Sequence, residues 1–138
     1  MVEEVTVVEL YGENSNGAQR RFTCASGVKI SKGTILKLTD PRTAIAASAL
    51  YDPIAGIASM DKSSSDFSTS ITCWTDGIFE CIASGGISTG APVMWAGLGN
   101  YVGTSGALDS DLASGASILG YALEDSSDEE TINVRVRL

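Results

Sequence analysis

The 138-residue sequence contains no histidine. That removes the commonest general base and metal ligand, together with every Ser-His and Cys-His nucleophile pair. Cysteine is scarce and odd in number (Cys24, Cys73 and Cys81), without CxxC spacing, so neither a disulfide framework nor a zinc site is implied. Bases are also few. Nine stand against 17 acids, and the net charge of −8 would be repelled by a phosphate backbone, which disfavours nucleic acid as a partner. No apolar run approaches the roughly 20 residues needed to span a bilayer, and no basic amphipathic segment suggests a membrane surface. The opening MVEEVTVVEL carries acids where a secretory signal needs positive charge, so the expected location is the cytoplasm of the producing cell.

What is present is a β pattern. Hydrophobic residues make up 43% of the chain, enough for a real core at this length, and they come in short alternating bursts. The densest is Thr69 to Val102, which holds both tryptophans and two of the three cysteines. It reads as strand, Asp76-Gly77 turn, strand, glycine-rich turn, strand, Gly-Leu turn, strand. Around it, strands are expected at residues 2–10, 19–24, 34–38, 43–47, 54–60, 118–124 and 131–138. Turns are expected at 12–17 and at 39–42, where Pro41 stands, and polar loops at 61–68 and 103–117, with one short helical turn in ALDSDLA. In the last strand Ile132, Val134, Val136 and Leu138 point inward and Asn133, Arg135 and Arg137 outward. Across the expected Asp-Gly hairpin Cys73 faces Glu80, which leaves Cys81 on the other face. Buried free thiols are the plainer reading and a disulfide the alternative.

Two segments share a layout. SGVKISKGTILKLTDPRTAIAAS leads to IAGIASMD, and SGGISTGAPVMWAGLGNYVGTS leads to ILGYALED. In each copy a glycine (Gly33, Gly90) precedes a strand, and a second glycine (Gly56, Gly120) sits inside a closing strand. The first pair suits positive φ or a strand start; the second suits a bulge or a close backbone approach. SGGISTG is not a phosphate loop, because alternating strand follows it where a helix is required. The expected architecture is therefore all-β: a small antiparallel β-barrel or sandwich with two pseudo-repeated β units. Residues 1–24 form an N-terminal strand or arm and first hairpin, residues 25–138 form the β-barrel, and the whole is a single domain.

Carboxylates are the one plentiful reactive group. Asp76 and Glu80 flank the expected turn and could converge as a glycosidase pair. Asp109, Asp111, Asp125 and residues 128–130 lie in loops, but D-S-D-L-A-S-G is not the D-x-D-x-D-G calcium loop, and solvated loop acids explain them. No catalytic, metal-binding or cofactor-binding residue is assigned.

In order, S-G-x-x-I-x-x-G-T-x-L-x-L, I-A-G-I-A, D-G-I-F-E-C, S-G-G-I-S-T-G-A-P-V-M-W and I-L-G-Y-A-L-E resemble the capsid cement, or head-decoration, proteins of tailed phages and related viruses. The likeness covers residues 25–138. It implies a structural virion protein on the outside of an expanded icosahedral shell, bound to the major capsid protein lattice, often as a trimer, and without enzymatic activity. The family's N-terminal segment often reaches onto the shell, which maps here onto residues 1–11 and makes Val2, Val5, Val7, Val8 and Tyr11 the capsid-contact candidates. Trp74, Trp95, Tyr101 and Tyr121 are candidates for self-association because aromatics dominate interface hot spots, although in a small β-barrel most aromatics are core. A non-viral ligand- or carbohydrate-binding β-sandwich module is the rival reading, which exposed and coplanar Trp74 and Trp95 would favour.

Overall fold

A computed structural model describes residues 5–10, 18–40, 42–48, 53–65, 67–97, 100–104 and 118–138. Among them all regular structure is β: β1 (Thr6–Leu10), β2 (Ala18–Thr23), β3 (Ile35–Asp40), β4 (Thr43–Ala46), β5 (Ile54–Ala58), β6 (Ser70–Ala83), β7 (Pro92–Gly97), β8 (Tyr101–Thr104), β9 (Ile118–Ala122) and β10 (Thr131–Arg137). They join in one sheet in the order β10-β9-β7-β8-β6-β2-β4-β3-β5, with β1 on β6. The sheet is mixed, not purely antiparallel, because β2–β4 and β6–β8 run parallel. The expected 12–17 turn and the ALDSDLA helical turn lie outside the described residues.

The expected turn at Asp76-Gly77 does not form. Residues 70–83 are a single strand of 14 residues, the longest among the described residues. A two-residue hairpin requires its two flanks to pair with each other, and here each flank has a longer partner. Ser70–Asp76 pairs with β2, and Asp76–Ile82 pairs with β10. Residues 77–80 also pair with β1, so β1 and β10 flank β6 there on opposite edges. β1 and β2 each pair with β6 and do not form a hairpin together. Gly77 keeps its place by closeness: a Cβ there would stand 2.6 Å from the Glu9 carbonyl oxygen. Opposite Ala18 and Gln19 stand Asp76 and Trp74, so Thr75 is an extra residue and β6 bulges. The bulge lets Trp74 share a core with Phe79 despite their odd spacing, with ring centroids 5.9 Å apart.

The two pseudo-repeated units are visible in the hydrogen bonds. β3 lies between β4 and β5, as β7 lies between β8 and β9. Leu36 faces Gly56 and Lys37 faces Ile54 across a register shift; Val93 faces Gly120 and Met94 faces Ile118 across the same shift. Gly33 N donates to Ala58 O and Gly90 N to Ala122 O, both at 2.8 Å, and these glycines hold φ of 89° and 83°. Isolated bridges Ile30–Lys62 and Ile87–Ser126 correspond too. β6 belongs to both units. Its first half receives β5 (Ala58 on Cys73) as β10 receives β9 (Ala122 on Val134), while its second half pairs with β8 as β2 pairs with β4.

The core follows this duplication. One cluster of eight buried residues (Cys24, Ile30, Leu36, Ala44, Ala55, Ala58, Ile71, Cys73) lies in the first unit. The equivalent positions of the second unit are Ala83, Ile87, Val93, Val102, Leu119, Ala122, Ile132 and Val134, all members of the larger cluster. That cluster also takes Val5, Ile35, Ile57 and Trp74 from the first part of the chain and so joins the units. Asn100, buried at φ 65°, adds a polar link: its Oδ1 accepts the Ile35 N–H at 3.0 Å. In β10 Ile132, Val134 and Val136 are fully buried as expected, but Leu138 is 42% exposed. It lies past the end of the strand, held by its N–H to Thr75 O at 3.0 Å.

The duplicated glycines therefore differ in cost of substitution. A Cβ on Gly120 would fall 1.8 Å from Arg135 O, whereas one on Gly90 meets nothing within 4 Å. Gly120→Ala is expected to lower stability by about 3 kcal/mol or more, or to prevent folding, and Gly90→Ala by about 1 kcal/mol from backbone strain alone. Urea denaturation of both variants beside the parent chain measures the difference.

Candidate interaction surfaces

Chemistry is sparse on this molecule. Among the described residues no three His, Cys, Asp or Glu side chains group closely enough to hold a metal ion. Asp76 and Glu80 do not converge across a turn. They lie four residues apart on one strand, about 13 Å along it, and Asp76 forms a salt bridge with Arg135. The loop acids serve the backbone: Asp125 Oδ1 accepts Thr89 N–H at 2.7 Å and Thr89 Oγ1 at 2.9 Å, and Asp128 Oδ1 accepts Gly85 N–H at 2.7 Å. The Thr89 backbone bond, then the hydroxyl, hold the Asp125 carboxyl below its ordinary range.

The cysteines are equally quiet. All three are free and buried. Cys73 and Cys81 do not meet across a hairpin, because both lie on the one strand β6, eight residues apart. They fill different clusters, and burial pushes both thiols up to about 12. Arg20 partly offsets this at Cys73, while Glu80 adds to it at Cys81. A thiol so rarely ionised is packing material.

The apolar N-terminal candidates occupy different environments. Val5 is buried, Val7 is half-buried against the core, and Val8 is 51% exposed. Val2 and Tyr11 lie outside the described residues. Val5, Thr6 and Val7 line an open cavity of about 340 Å³ with Lys32 and Trp74, where the Lys32 ammonium stands 5.7 Å from the indole centroid. Of the aromatic candidates, Trp74 and Trp95 are 6% and 5% exposed and belong to the larger core cluster. Tyr121 is 43% exposed on β9, facing Arg135 and Pro92. Tyr101 is half-buried at the start of β8 and lines a second open cavity, about 210 Å³, with Ala83, Ser84, Asp128 and Glu129. The four do not form one surface.

Pattern reading overlooked the exposed apolar residues of the first unit. Phe67 is 77% exposed, Met60 47% and Val28 38%. Val28 O accepts the Lys62 ammonium at 3.0 Å, and Cys24 N donates to Thr69 O at 2.9 Å, so the 61–69 loop closes over residues 24–30. In the second unit the equivalent loop runs only from Asp125 to Glu130. Three extra residues, and Phe67 with them, distinguish the copies.

The sequence matches the family described as phage cement protein over residues 15–138. No curated protein matches it. Among solved structures, the base of the head fiber gp8.5 of bacteriophage phi29 is similar, with a TM-score of 0.54 at 14% identity over 86% of this chain and 94% of that one. At that identity the likeness concerns the fold.

The thiols give the interior a direct check. Unfolded cysteine ionises near 9.0, whereas Cys73 and Cys81 in the folded chain do so near 12. Above pH 9 the unfolded chain thus loses protons that the folded chain keeps. Their contribution to stability is constant below about pH 9 and falls as pH rises from about 9 to about 12. Labelling by a thiol-specific disulfide reagent at pH 8 is expected to proceed only at the rate of unfolding, and prompt labelling of either cysteine would contradict this burial.

Proposed function

Because this chain belongs to the phage cement protein family, we propose that its capsid decoration role is carried out by a rigid β body that binds the outer surface of an expanded shell and stabilises it. The family match along residues 15–138 carries this reading, and the structure is consistent with it. A decoration protein repeats one contact at many identical sites, so it needs a shape that does not change from copy to copy more than it needs reactive groups. A β6 strand common to both units, cores that follow the duplication and buried thiols supply such a body. The role is structural and not catalytic.

The partner is the major capsid protein lattice, met by the N-terminal segment through its exposed residue Val8. The protein sits on the shell as a homo-oligomer, with a trimer the working assignment, and it contacts neither nucleic acid nor membrane. During assembly it resides in the host cytoplasm. The rival carbohydrate-binding reading needs a flat platform of exposed tryptophans, and Trp74 and Trp95 are both in the core.

Co-sedimentation with expanded, undecorated shells of the cognate virus tests the proposal. The expected result is saturable binding at a fixed ratio to the major capsid protein, with a raised shell melting temperature; no binding at near-physiological salt would overturn it. Val8→Asp is expected to weaken binding about tenfold, roughly 1.4 kcal/mol, while leaving the melting temperature of the free protein nearly unchanged.

A further inference from the structure

The two units share a backbone plan but carry opposite charge. From residue 18 to the Thr75 bulge, seven bases stand against four acids, a net charge of +3; from Asp76 to Leu138, two bases stand against nine acids, a net charge of −7; the N-terminal residues 1–17, outside both units, carry the remaining four acids (Glu3, Glu4, Glu9 and Glu13). The reversal occurs at matched sites. Arg21, opposite Thr72 on β6, occupies the position that Glu80, opposite Asn133 on β10, holds in the second unit.

At the matched end of each unit the surfaces are complementary. On the second unit the cavity of about 210 Å³ is lined by Asp128, Glu129, Tyr101, Ala83 and Ser84, with Asp128 Oδ1 also accepting the Gly85 N–H at 2.7 Å. Two acidic side chains and a tyrosine around an open cavity suit a cationic side chain. On the first unit Arg21, Lys29 and Arg42 are exposed. Arg42 is held there by its Nη2 bond to Arg21 O at 2.8 Å and lies 5.9 Å from the Phe22 ring. Among the described residues no ion pair joins Arg21, Lys29 or Arg42 to Asp128 or Glu129.

We propose that the Tyr101–Asp128–Glu129 cavity receives the basic end of a second copy of this chain, so that copies associate head to tail, first unit to second unit. Such a contact is heterologous, and repeating it closes a ring or extends a filament. The inference deepens the homo-oligomer reading above and rests on it, but it is independent of which face meets the shell.

The test is sedimentation velocity of the full chain from about 20 mM to about 500 mM salt, a range over which screening shortens the reach of surface charge several-fold. Self-association at low salt that weakens as salt rises is expected. The double variants Asp128→Lys with Glu129→Lys, and Arg21→Glu with Arg42→Glu, should each weaken it about tenfold or more. An equimolar mixture of the two should regain association, because each then offers a surface opposite to the other's. A wild-type chain that is monomeric at the lowest salt and high concentration, or a mixture no better than its components, would overturn the proposal. Shell co-sedimentation of the same variants separates the two readings. If they bind shells singly but no longer associate, copy-to-copy docking is distinct from capsid binding. If the parent chain self-associates but does not bind shells, the capsid reading fails and the docking stands.

Discussion

The pairing of β6 on both edges is the constraint on which the rest of the sheet depends. A strand of 14 residues that meets β2, β5, β1, β10 and β8 fixes the register of five others. Because side chains alternate with period two, a one-residue slip of β6 would turn Ile71, Cys73, Phe79 and Cys81 out of their clusters together. The bulge at Thr75 is the one place where the alternation changes, and it lies where the first unit ends and the second begins. There the strand stops serving the smaller cluster and starts serving the larger, and Trp74 turns from one to the other.

A duplicated plan with one strand in common explains why the chain needs so few special residues. Glycines recur at matched sites because matched backbones approach too closely there for a Cβ: Gly56 against Cys73 and Trp74, Gly120 against Arg135. Side-chain volumes were free to diverge, provided each core stayed filled. Ala44, Ala55 and Cys73 in the first unit stand where Val102, Leu119 and Val134 stand in the second, while Leu36 and Cys24 face smaller counterparts in Val93 and Ala83. Such exchanges keep packing near its required density only if the surrounding backbone moves slightly, which a sheet edge permits more readily than a closed core.

This also defines what the sequence made legible. The repeat could be read because its signals are local: glycine at φ above zero before β3 and β7, and alternating apolar residues in β10. The first-unit boundary could not, because an Asp-Gly pair is a strong turn signal that only tertiary pairing overrides. Nothing in residues 69–83 announces that β2 and β10 will each claim half of one strand. The tryptophans pose a similar problem. Their pattern fits a wet face or a dry one, and the bulge that brings Trp74 beside Phe79 is a property of the β2 pairing, not of the local sequence. Tyr101 was readable as a surface aromatic, but its acidic companions come from the 125–130 turn, which only the fold brings to the start of β8.

Opposite charge on two halves of one plan has a physical consequence that an even distribution would not. A body with a net charge of −8 repels its copies at long range, which keeps it soluble before assembly. Separating +3 in residues 18–75 from −7 in residues 76–138, with the other −4 in residues 1–17, leaves that repulsion in place at a distance, yet makes one relative orientation attractive at contact, where the basic end approaches the acidic one within about a Debye length of 8–10 Å. The energetic gain of exposed pairs is modest, at most about 1 kcal/mol each. Association through them is therefore weak in dilute solution and strengthens when a lattice already holds the copies side by side, because binding to the lattice raises their effective concentration. Charge polarity of this kind favours assembly on a surface over assembly in solution.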